Sequence, residues 1–126
     1  MELTHVIIAG TFPTLNEFIS ALNSRNRNVG NGFKKRLERE IQKQLAGQLE
    51  RPLKPKVSFY FVFYEPNKRR DKDNVFSLFI KVWQDALVKA GYLDNDGWRQ
   101  INNYQIDFKE EKAFPRIEIF ISESED

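Results

Sequence analysis

The residues best suited to chemistry lie in the segment RRDKDN, residues 69 to 74, where one residue separates two aspartates. In an extended segment, side chains at positions i and i+2 project to the same side, so Asp71 and Asp73 can point to one place. Two carboxylates placed together repel each other unless a cation lies between them, and oxygen ligands suit a hard ion such as Mg2+ or Mn2+. The spacing therefore makes this segment a candidate metal site.

The same segment also has a purely structural interpretation. Asp73 or Asn74 can cap the helix that follows, while Asp71 pairs with Arg69 or Arg70. Taken alone, the segment favours this structural interpretation, so other parts of the chain must decide between the two.

A second acidic cluster, LDND at residues 93 to 96, precedes Gly97. An EF-hand calcium loop needs three ligand positions before its glycine and a glutamate at position twelve, and this sequence supplies neither. Asp-Gly is a common turn dipeptide, so Asp96 considered by itself predicts a turn.

The composition of the 126-residue chain excludes several other chemistries. With no Cys and a single His, it has no cysteine nucleophile, disulfide, thiolate zinc site or multi-histidine metal site. A hydrophobic content of 40%, including eleven Phe, predicts one folded domain over residues 1 to 126. The lack of Cys, of a long apolar run and of a basic leader predicts a cytoplasmic protein with no membrane segment.

The net charge of +2 conceals an uneven distribution. Residues 25 to 43 carry seven basic residues against two glutamates, whereas the last five residues, SESED, include three acidic side chains. Such segregation fits a polyanionic partner such as nucleic acid, although basic helix faces are more often only solvated.

Hydrophobic periodicity predicts the elements that must position these residues. Strands are expected over residues 3–9, 57–64, about 99–109 and 115–122, and helices over about 14–23, 33–50 and 74–90, with a loop at 25–32. Apolar and aromatic residues on both faces of 57–64 predict a central strand covered on both sides. The resulting order, β-α-α-β-α-β-β, predicts an α/β (α+β) fold with a mixed β-sheet packed with helices.

The helix expected over residues 74 to 90 is apolar around much more than half of its circumference, so it must be buried from two sides. The sheet would cover one side. A second helix of the same chain, or the same helix of another subunit, would cover the other, and we hypothesise the second subunit. Lys81 lies in the remaining polar stripe, where an ion pair with Asp85 at i+4 is the structural alternative.

The series RRDKDN, then DALVKAG at residues 85 to 91, then LDND closely resembles the motif core of the RusA family of Holliday junction resolvases. These proteins are metal-dependent endonucleases common in phages and prophages. The resemblance covers about residues 66 to 101. It implies that Asp71, Asp73 and Asp96 bind Mg2+, for which Mn2+ can substitute.

Two departures from the family pattern affect this assignment. Asn95 stands where the family has the first aspartate of an adjacent pair, and Asp94 is an extra carboxylate that can substitute as a metal ligand. The helix is longer than that of the family prototype by about four residues, close to one turn. The family's catalytic lysine falls on Lys81 counted backward and on Ser77 counted forward, and only Lys81 has the chemistry.

The resemblance implies an endodeoxyribonuclease that resolves four-way DNA junctions by paired nicks. It would act as an intertwined homodimer in a bacterial cytoplasm, encoded by a phage or prophage, without a small-molecule cofactor. Its metal would activate water and stabilise charge on the phosphate, and Lys81 would contact that phosphate. Trp98 and Phe33 are candidate wedges at the junction, with core packing or a dimer contact as the alternative. The candidate DNA-contacting residues are Arg25, Arg27, Lys34, Lys35, Arg39, Arg69 and Arg70.

The length of the central helix complicates a site built from one chain. At about 25 Å, the helix would place Asp73 and Asp96 at opposite ends. Unless the chain after Gly91 doubles back, one subunit does not assemble the site, whereas two such helices paired antiparallel about a twofold axis would bring the ends together. Three rival interpretations stay open: a non-catalytic nucleic-acid-binding module, a nuclease of flaps, forks or duplex DNA, and a structural dimerisation domain.

Overall fold

The computed structural model describes residues 2–24 and 28–124. Its elements are strand β1 (Glu2–Ala9), helices α1 (Leu15–Leu22) and α2 (Asn28–Leu45), strand β2 (Val57–Glu65), helix α3 (Lys72–Lys89), and strands β3 (Ile101–Glu110) and β4 (Arg116–Glu123). The predicted α+β class with a mixed sheet is confirmed, and the elements follow the predicted order.

Helix α2 differs from its predicted bounds at both ends. It begins at Asn28, inside the segment predicted as a loop, because residues with poor helix propensity are tolerated near a helix start. It ends at Leu45, where the amides of Gln48 and Leu49 donate to the Leu45 carbonyl and form a turn. Leu49 is buried beyond this turn, so the apolar spacing continues after the helix has stopped.

The sheet has the strand order β1-β4-β2-β3. Strand β4 runs antiparallel to both of its neighbours, and β2 runs parallel to β3. Strand β2 is central, as its sequence predicts, and its residues Phe59, Phe61 and Phe63 are buried under α3. All three helices lie on that side, so the expectation of cover on both faces is not met. The opposite face is lined instead by side chains that pack across the strands, including Tyr60 beside Phe120.

The hydrophobic core forms between α3 and the helix-covered face of the sheet. Phe79 and Trp83 of α3 are fully buried and meet the rings of β2 edge to face. Such aromatic contacts are favourable beyond the area they bury, and removing a buried aromatic side chain costs about 3–5 kcal/mol. The core therefore holds α3 rigidly along β2.

The second apolar side of α3 is covered by α1 and α2 of the same chain. Gln42 of α2 donates to the Ala86 carbonyl, and Lys89 forms an ion pair with the buried Glu38. Of the two alternatives that the sequence left open, a second helix of the same chain thus covers most of this side. Phe76 and Ile80 remain only partly buried.

The two edge strands of the sheet, β1 and β3, differ in whether another part of the chain covers them. The amide of Ala9 on β1 donates to Gln44 of α2, and Ile7 exchanges two hydrogen bonds with Gln48 in the turn after α2, so the end of α2 and this turn close the edge. Strand β3 pairs with β2 alone, which leaves its other edge open within the described part of the chain. Among the described residues, no helix is long and apolar enough to cross a membrane.

Candidate metal and nucleic-acid site

Asp71 and Asp73 lie at the start of α3, where the chain leaves β2. Asp71 is the N-cap residue with extended backbone angles, but its side chain accepts no capping hydrogen bond. The helix was predicted to begin at Asn74 but begins at Lys72, so Asp73 lies in the first helical turn and not in an extended segment. The rule that residues i and i+2 project to the same side therefore does not apply to this pair. Both carboxylates are exposed. Asn74 accepts a hydrogen bond from the backbone of Asn16 instead of capping α3. The structural interpretation therefore assigns the wrong capping residues, and the helix dipole favours negative charge at both aspartates.

Arg70 is bound to partners other than the neighbouring aspartate. Its Nε and Nη2 donate to the two carboxylate oxygens of Glu65 at 2.9 and 3.1 Å, and its Nη1 donates to the Phe12 carbonyl at 2.6 Å. This clamp fixes the loop between β2 and α3. It also uses the arginine that could have neutralised Asp71.

Asp96 lies beside the second half of α3 because the chain turns back after the helix. Gly91 has a φ of +83°, a left-handed conformation that glycine adopts readily, and the next amide, of Tyr92, donates to the Leu87 carbonyl. The returning segment places Asp96 Oδ2 3.4 Å from Gln84 Nε2. The segment after Gly91 thus runs back alongside α3 for nearly two helical turns.

Tyr104 of β3 completes the surroundings of Asp96. Its hydroxyl forms a hydrogen bond with the side-chain oxygen of Gln84. Burial, and then the negative charge of Asp96, raise the pKa of the Tyr104 hydroxyl. Asp94, the substitute ligand that the resemblance suggests, is exposed on the same returning segment.

The return of the chain is too short to unite the three aspartates. Asp73 and Gln84 are eleven positions apart on α3, which corresponds to about 16 Å along the helix axis. Within residues 2–24 and 28–124, no three Asp, Glu or His side chains lie close enough together to hold a metal ion. A single chain therefore holds Asp71 and Asp73 at the start of α3 and Asp96 about three turns further along that helix.

Asp73 and Asp96 line two separate hollows beside the open edge of β3. The Asp73 hollow is lined by Lys72, Asp73, Phe76, Ile106, Asp107 and Phe108. The Asp96 hollow is lined by Asp96, Gly97, Trp98, Ile101, Asn102 and Tyr104. Sequence reasoning missed Asp107, which lines this hollow because β3 pairs with β2.

Lys81 lies on the polar stripe of α3 with Asp73 and Ser77, each one turn from the next. Its side chain is 62% exposed, and its Nζ lies 3.6 Å from Asp85 Oδ1 at i+4. The ion pair given as the structural alternative is therefore present. Exposure nevertheless leaves the ammonium group accessible to a phosphate.

The candidate DNA-contacting residues differ in their exposure and in whether their side chains form ion pairs within the fold. Lys34 binds Asp85 and Glu38, so it joins α2 to α3 in the same way that Arg70 clamps its loop. Burial lowers the pKa of Lys34, but the hydrogen bond to Asp85 and the nearby negative charges raise it overall. By contrast, Lys35, Arg39 and Arg69 are exposed, and Arg25 and Arg27 lie outside the described residues.

The two candidate wedges have opposite environments. Trp98 is 96% exposed at the mouth of the Asp96 hollow, so core packing does not explain it. Phe33 packs against the core near Phe18, with ring centroids 6.0 Å apart. The core-packing alternative therefore applies to Phe33 and not to Trp98.

Comparisons with known proteins do not identify this arrangement. No protein-family model matches the chain, and no curated protein matches it. The interpretation of the site consequently rests on the residues described above and on their resemblance to the RusA motifs.

Proposed function

We propose that the protein is a metal-dependent endodeoxyribonuclease that nicks branched DNA, such as a four-way junction, in a bacterial cytoplasm. One observation carries the proposal: Asp71 and Asp73, two residues apart, are both exposed at the start of α3, while Arg70 is bound to Glu65 and Phe12. Carboxylate oxygens of this kind suit Mg2+ or Mn2+. The chain contains these carboxylates in the order expected of a RusA-type nuclease.

The residues present fit a hard divalent ion, because the donors are oxygen atoms and solvent can reach them. Asp71 and Asp73 would hold the ion, and a bound Mg2+ would supply a Lewis acid for the phosphate and lower the pKa of water. Lys81, two turns along the same stripe, is positioned to contact a phosphate oxygen of DNA lying along α3. Asp96, or the neighbouring Asp94, would complete the ligand set.

We further propose that a second copy of the chain completes each site. The Asp73 and Asp96 hollows both border the open edge of β3, so a twofold axis that pairs these edges antiparallel exchanges their positions. The partly exposed Phe76 and Ile80 and the exposed Trp98 provide apolar surface for this contact. Each metal site would then contain Asp71 and Asp73 of one protomer and the partner's Asp96.

Contact with the DNA backbone is assigned to the exposed basic side chains. Lys35 and Arg39 on α2 and Arg69 before α3 are available to phosphates, whereas Lys34 and Arg70 serve the fold. Phosphate contacts release counterions, so binding should weaken steeply with salt. A dimer with two such surfaces matches the twofold symmetry of a four-way junction.

Nicking of a synthetic four-way junction in Mg2+ or Mn2+ tests the enzyme proposal directly. Wild type should cut, and Asp71→Asn and Asp73→Asn should each abolish cutting while the fold is retained. Glu50→Gln is the matched control, because Glu50 is an exposed carboxylate that lines neither hollow. No cutting by wild type, or undiminished cutting by Asp71→Asn, would support the non-catalytic alternative.

The preferred substrate requires a second comparison. Junctions, flaps, replication forks and linear duplex of the same sequence should be cut at different rates, with the junction fastest. Faster cutting of any other substrate would change the assigned specificity but not the chemistry.

A further inference from the structure

The helix-free face of the sheet carries rows of side chains set by the strand register. One row crosses all four strands as His5, Phe120, Tyr60 and Gln105, and its first three members are flat rings. The His5 and Phe120 rings stack at 4.3 Å with an interplanar angle of 3°, and Phe120 and Tyr60 stack at 5.6 Å. This row forms an aromatic ridge three strands wide.

The adjacent row has small side chains at its centre. Ser122 and Ser58 lie side by side on the two central strands, with Asn103 next to them on β3. Because serines are so much smaller than the rings beside them, the surface dips there. The result is a depression of about 350 Å3, which we call the sheet pocket, and small-molecule sites span about 300–1,000 Å3.

The chemistry of the sheet pocket selects a planar, uncharged ligand. Its aromatic wall is Tyr60 and Phe120, its base carries serine hydroxyls, and its rim carries amides including Asn103 and Gln105. None of the residues that line it carries a formal charge. Aromatic faces bind the π-faces of bases, and amides supply both donors and acceptors to base edges.

Hydrogen bonds hold the pocket in shape. The Tyr60 hydroxyl donates to Asp107 at 2.6 Å, and this hydrogen bond raises the pKa of the Tyr60 hydroxyl. Asn102 donates to Ser58 at 3.2 Å, which joins the rim to the base of the pocket. A wall fixed in this way loses little entropy when a ring stacks on it.

Position and charge link the sheet pocket to DNA. Asn102 and Tyr104 line both the sheet pocket and the Asp96 hollow, so the two lie on either side of the start of β3. The exposed Lys56 and Arg99 precede β2 and β3 at this same end of the sheet. Cations beside a neutral aromatic pocket suit a nucleotide, whose base is neutral and whose phosphate is not.

We infer that the sheet pocket binds an unpaired nucleobase of the DNA strand whose backbone passes the Asp96 hollow. This inference rests on the proposed nuclease function and adds to it a site for a base that branching leaves unstacked. Tyr60 and Phe120 stack on the base, and Asn103 and Gln105 meet its polar edge. Single-stranded DNA next to a branch is therefore the preferred ligand of this face.

Binding of a fluorescent single-stranded oligonucleotide, measured by anisotropy in EDTA so that no cutting occurs, tests the inference. Tyr60→Ala and Phe120→Ala should each weaken binding roughly 5- to 150-fold, as loss of a base-stacking ring does. Tyr60→Phe, which keeps the ring, should bind within about twofold of wild type. Phe114→Ala is the matched control, because Phe114 is 48% exposed and does not line the pocket.

An oligonucleotide with abasic positions separates base stacking from backbone contact. It should bind wild type as weakly as the normal strand binds Tyr60→Ala, with little further loss in that variant. Ser58→Leu should give the same loss by filling the pocket while leaving both rings in place. Equal binding of normal and abasic strands, or full binding by Ser58→Leu, would overturn the inference.

Cutting assays in Mg2+ distinguish failure of this inference from failure of the proposed function. If the base dependence is absent while wild type still nicks junctions, the pocket assignment alone is wrong. If the base dependence is present but no DNA is cut, the nuclease proposal fails and the base-binding pocket stands.

Discussion

Gln84 donates a hydrogen bond to Asp96 across 3.4 Å, which ties the segment after α3 to the second half of that helix. The carboxylate of Asp96 is consequently held about 16 Å along the helix axis from Asp73. Gln84 in turn bonds the hydroxyl of Tyr104 on β3, so the returning segment is linked to the sheet as well. A rearrangement that moved Asp96 to Asp73 within one chain would break the bond to Gln84, and this cost is the reason for proposing a second chain as the source of the third ligand.

Mixing two inactive variants tests whether the site is shared between chains. In a heterodimer of Asp71→Asn and Asp96→Asn protomers, one of the two shared sites contains only wild-type aspartates. An equal mixture, unfolded and refolded together, should regain about a quarter of wild-type nicking, since half the dimers are mixed and each has one intact site. The measurement is the rate of junction nicking. Sites built within one chain would give no recovery, because every chain in the mixture carries a substitution.

The two adjacent arginines before α3 should have opposite effects. Arg70→Ala removes both hydrogen bonds to the nearly buried Glu65, so it should lower the free energy of unfolding by about 1.5–3 kcal/mol. Arg69→Ala removes an exposed side chain and should change stability by less than about 0.5 kcal/mol. Urea unfolding followed by circular dichroism provides the comparison.

Arg69→Ala and Arg70→Ala should also differ in their effects on DNA binding. Arg69→Ala should weaken junction binding and reduce the slope of log K against log salt by about 1. Arg70→Ala, tested at a temperature where it is folded, should leave that slope unchanged. A reduced slope for Arg70→Ala, with none for Arg69→Ala, would show that the structural and DNA-contacting roles are exchanged.

Much of the fold could be predicted because each element carries its own periodicity. The continuous run of apolar and aromatic residues in 57–64 and the apolar stripe of 33–45 are local properties, so the order of strands and helices followed from them. Local periodicity did not predict which element covers the second apolar side of α3. The spacing of apolar residues shows how much of the circumference of α3 is buried, but it does not show which elements bury it. In the tertiary structure, α1 and α2 do so.

The candidate site was predictable to a smaller extent. Asp71 and Asp73 were expected to share a direction because residues i and i+2 of an extended segment do, but α3 begins at Lys72 and makes Asp73 helical. The structural interpretation paired Asp71 with Arg69 or Arg70, whereas Arg70 is bound to Glu65 at the end of β2, which the loop brings back to it. Asp107 lines the same hollow as Asp73 because β3 pairs in parallel with β2. Contacts that depend on register or loop path leave no signal in local spacing.

Glu123 should make stability depend on pH in the acid range. Burial by itself raises its pKa, but hydrogen bonds from Arg51 and the Lys54 amide lower it overall below the usual value of 4.5. Because the pKa is lower in the folded state, its stabilisation is fully present above about 4.5 and is lost as pH falls through the folded pKa. Glu118, whose pKa is also lowered overall, contributes in the same direction.

The variant Glu123→Gln should isolate that contribution. At pH 7 it should be less stable than wild type by about 1.5–3 kcal/mol, since a charged hydrogen-bonded group is lost. Its free energy of unfolding should also fall less steeply than that of wild type as pH is lowered below 5. Urea titrations at several pH values provide the measurement, with Glu50→Gln as the exposed control. Parallel pH profiles for Glu123→Gln and wild type would contradict the assigned pKa direction.

Trp98 offers a direct test of the proposed dimer. It is 96% exposed in the single chain and borders the hollow that a second copy would approach. A large aromatic at the centre of an interface typically contributes 2 kcal/mol or more, so Trp98→Asp should weaken self-association by at least about 30-fold. Phe114→Asp changes another exposed aromatic, away from both hollows, and should have no such effect.

Sedimentation velocity over a range of concentrations measures this difference. Wild type and Phe114→Asp should sediment as dimers at micromolar concentration, and Trp98→Asp should sediment as a monomer. In a Trp83→Phe background, the emission of Trp98 should shift to longer wavelength on dilution, as the ring leaves the interface for water. A wild-type monomer at micromolar concentration, or a dimer that Trp98→Asp does not disturb, would show that the antiparallel contact along β3 does not form.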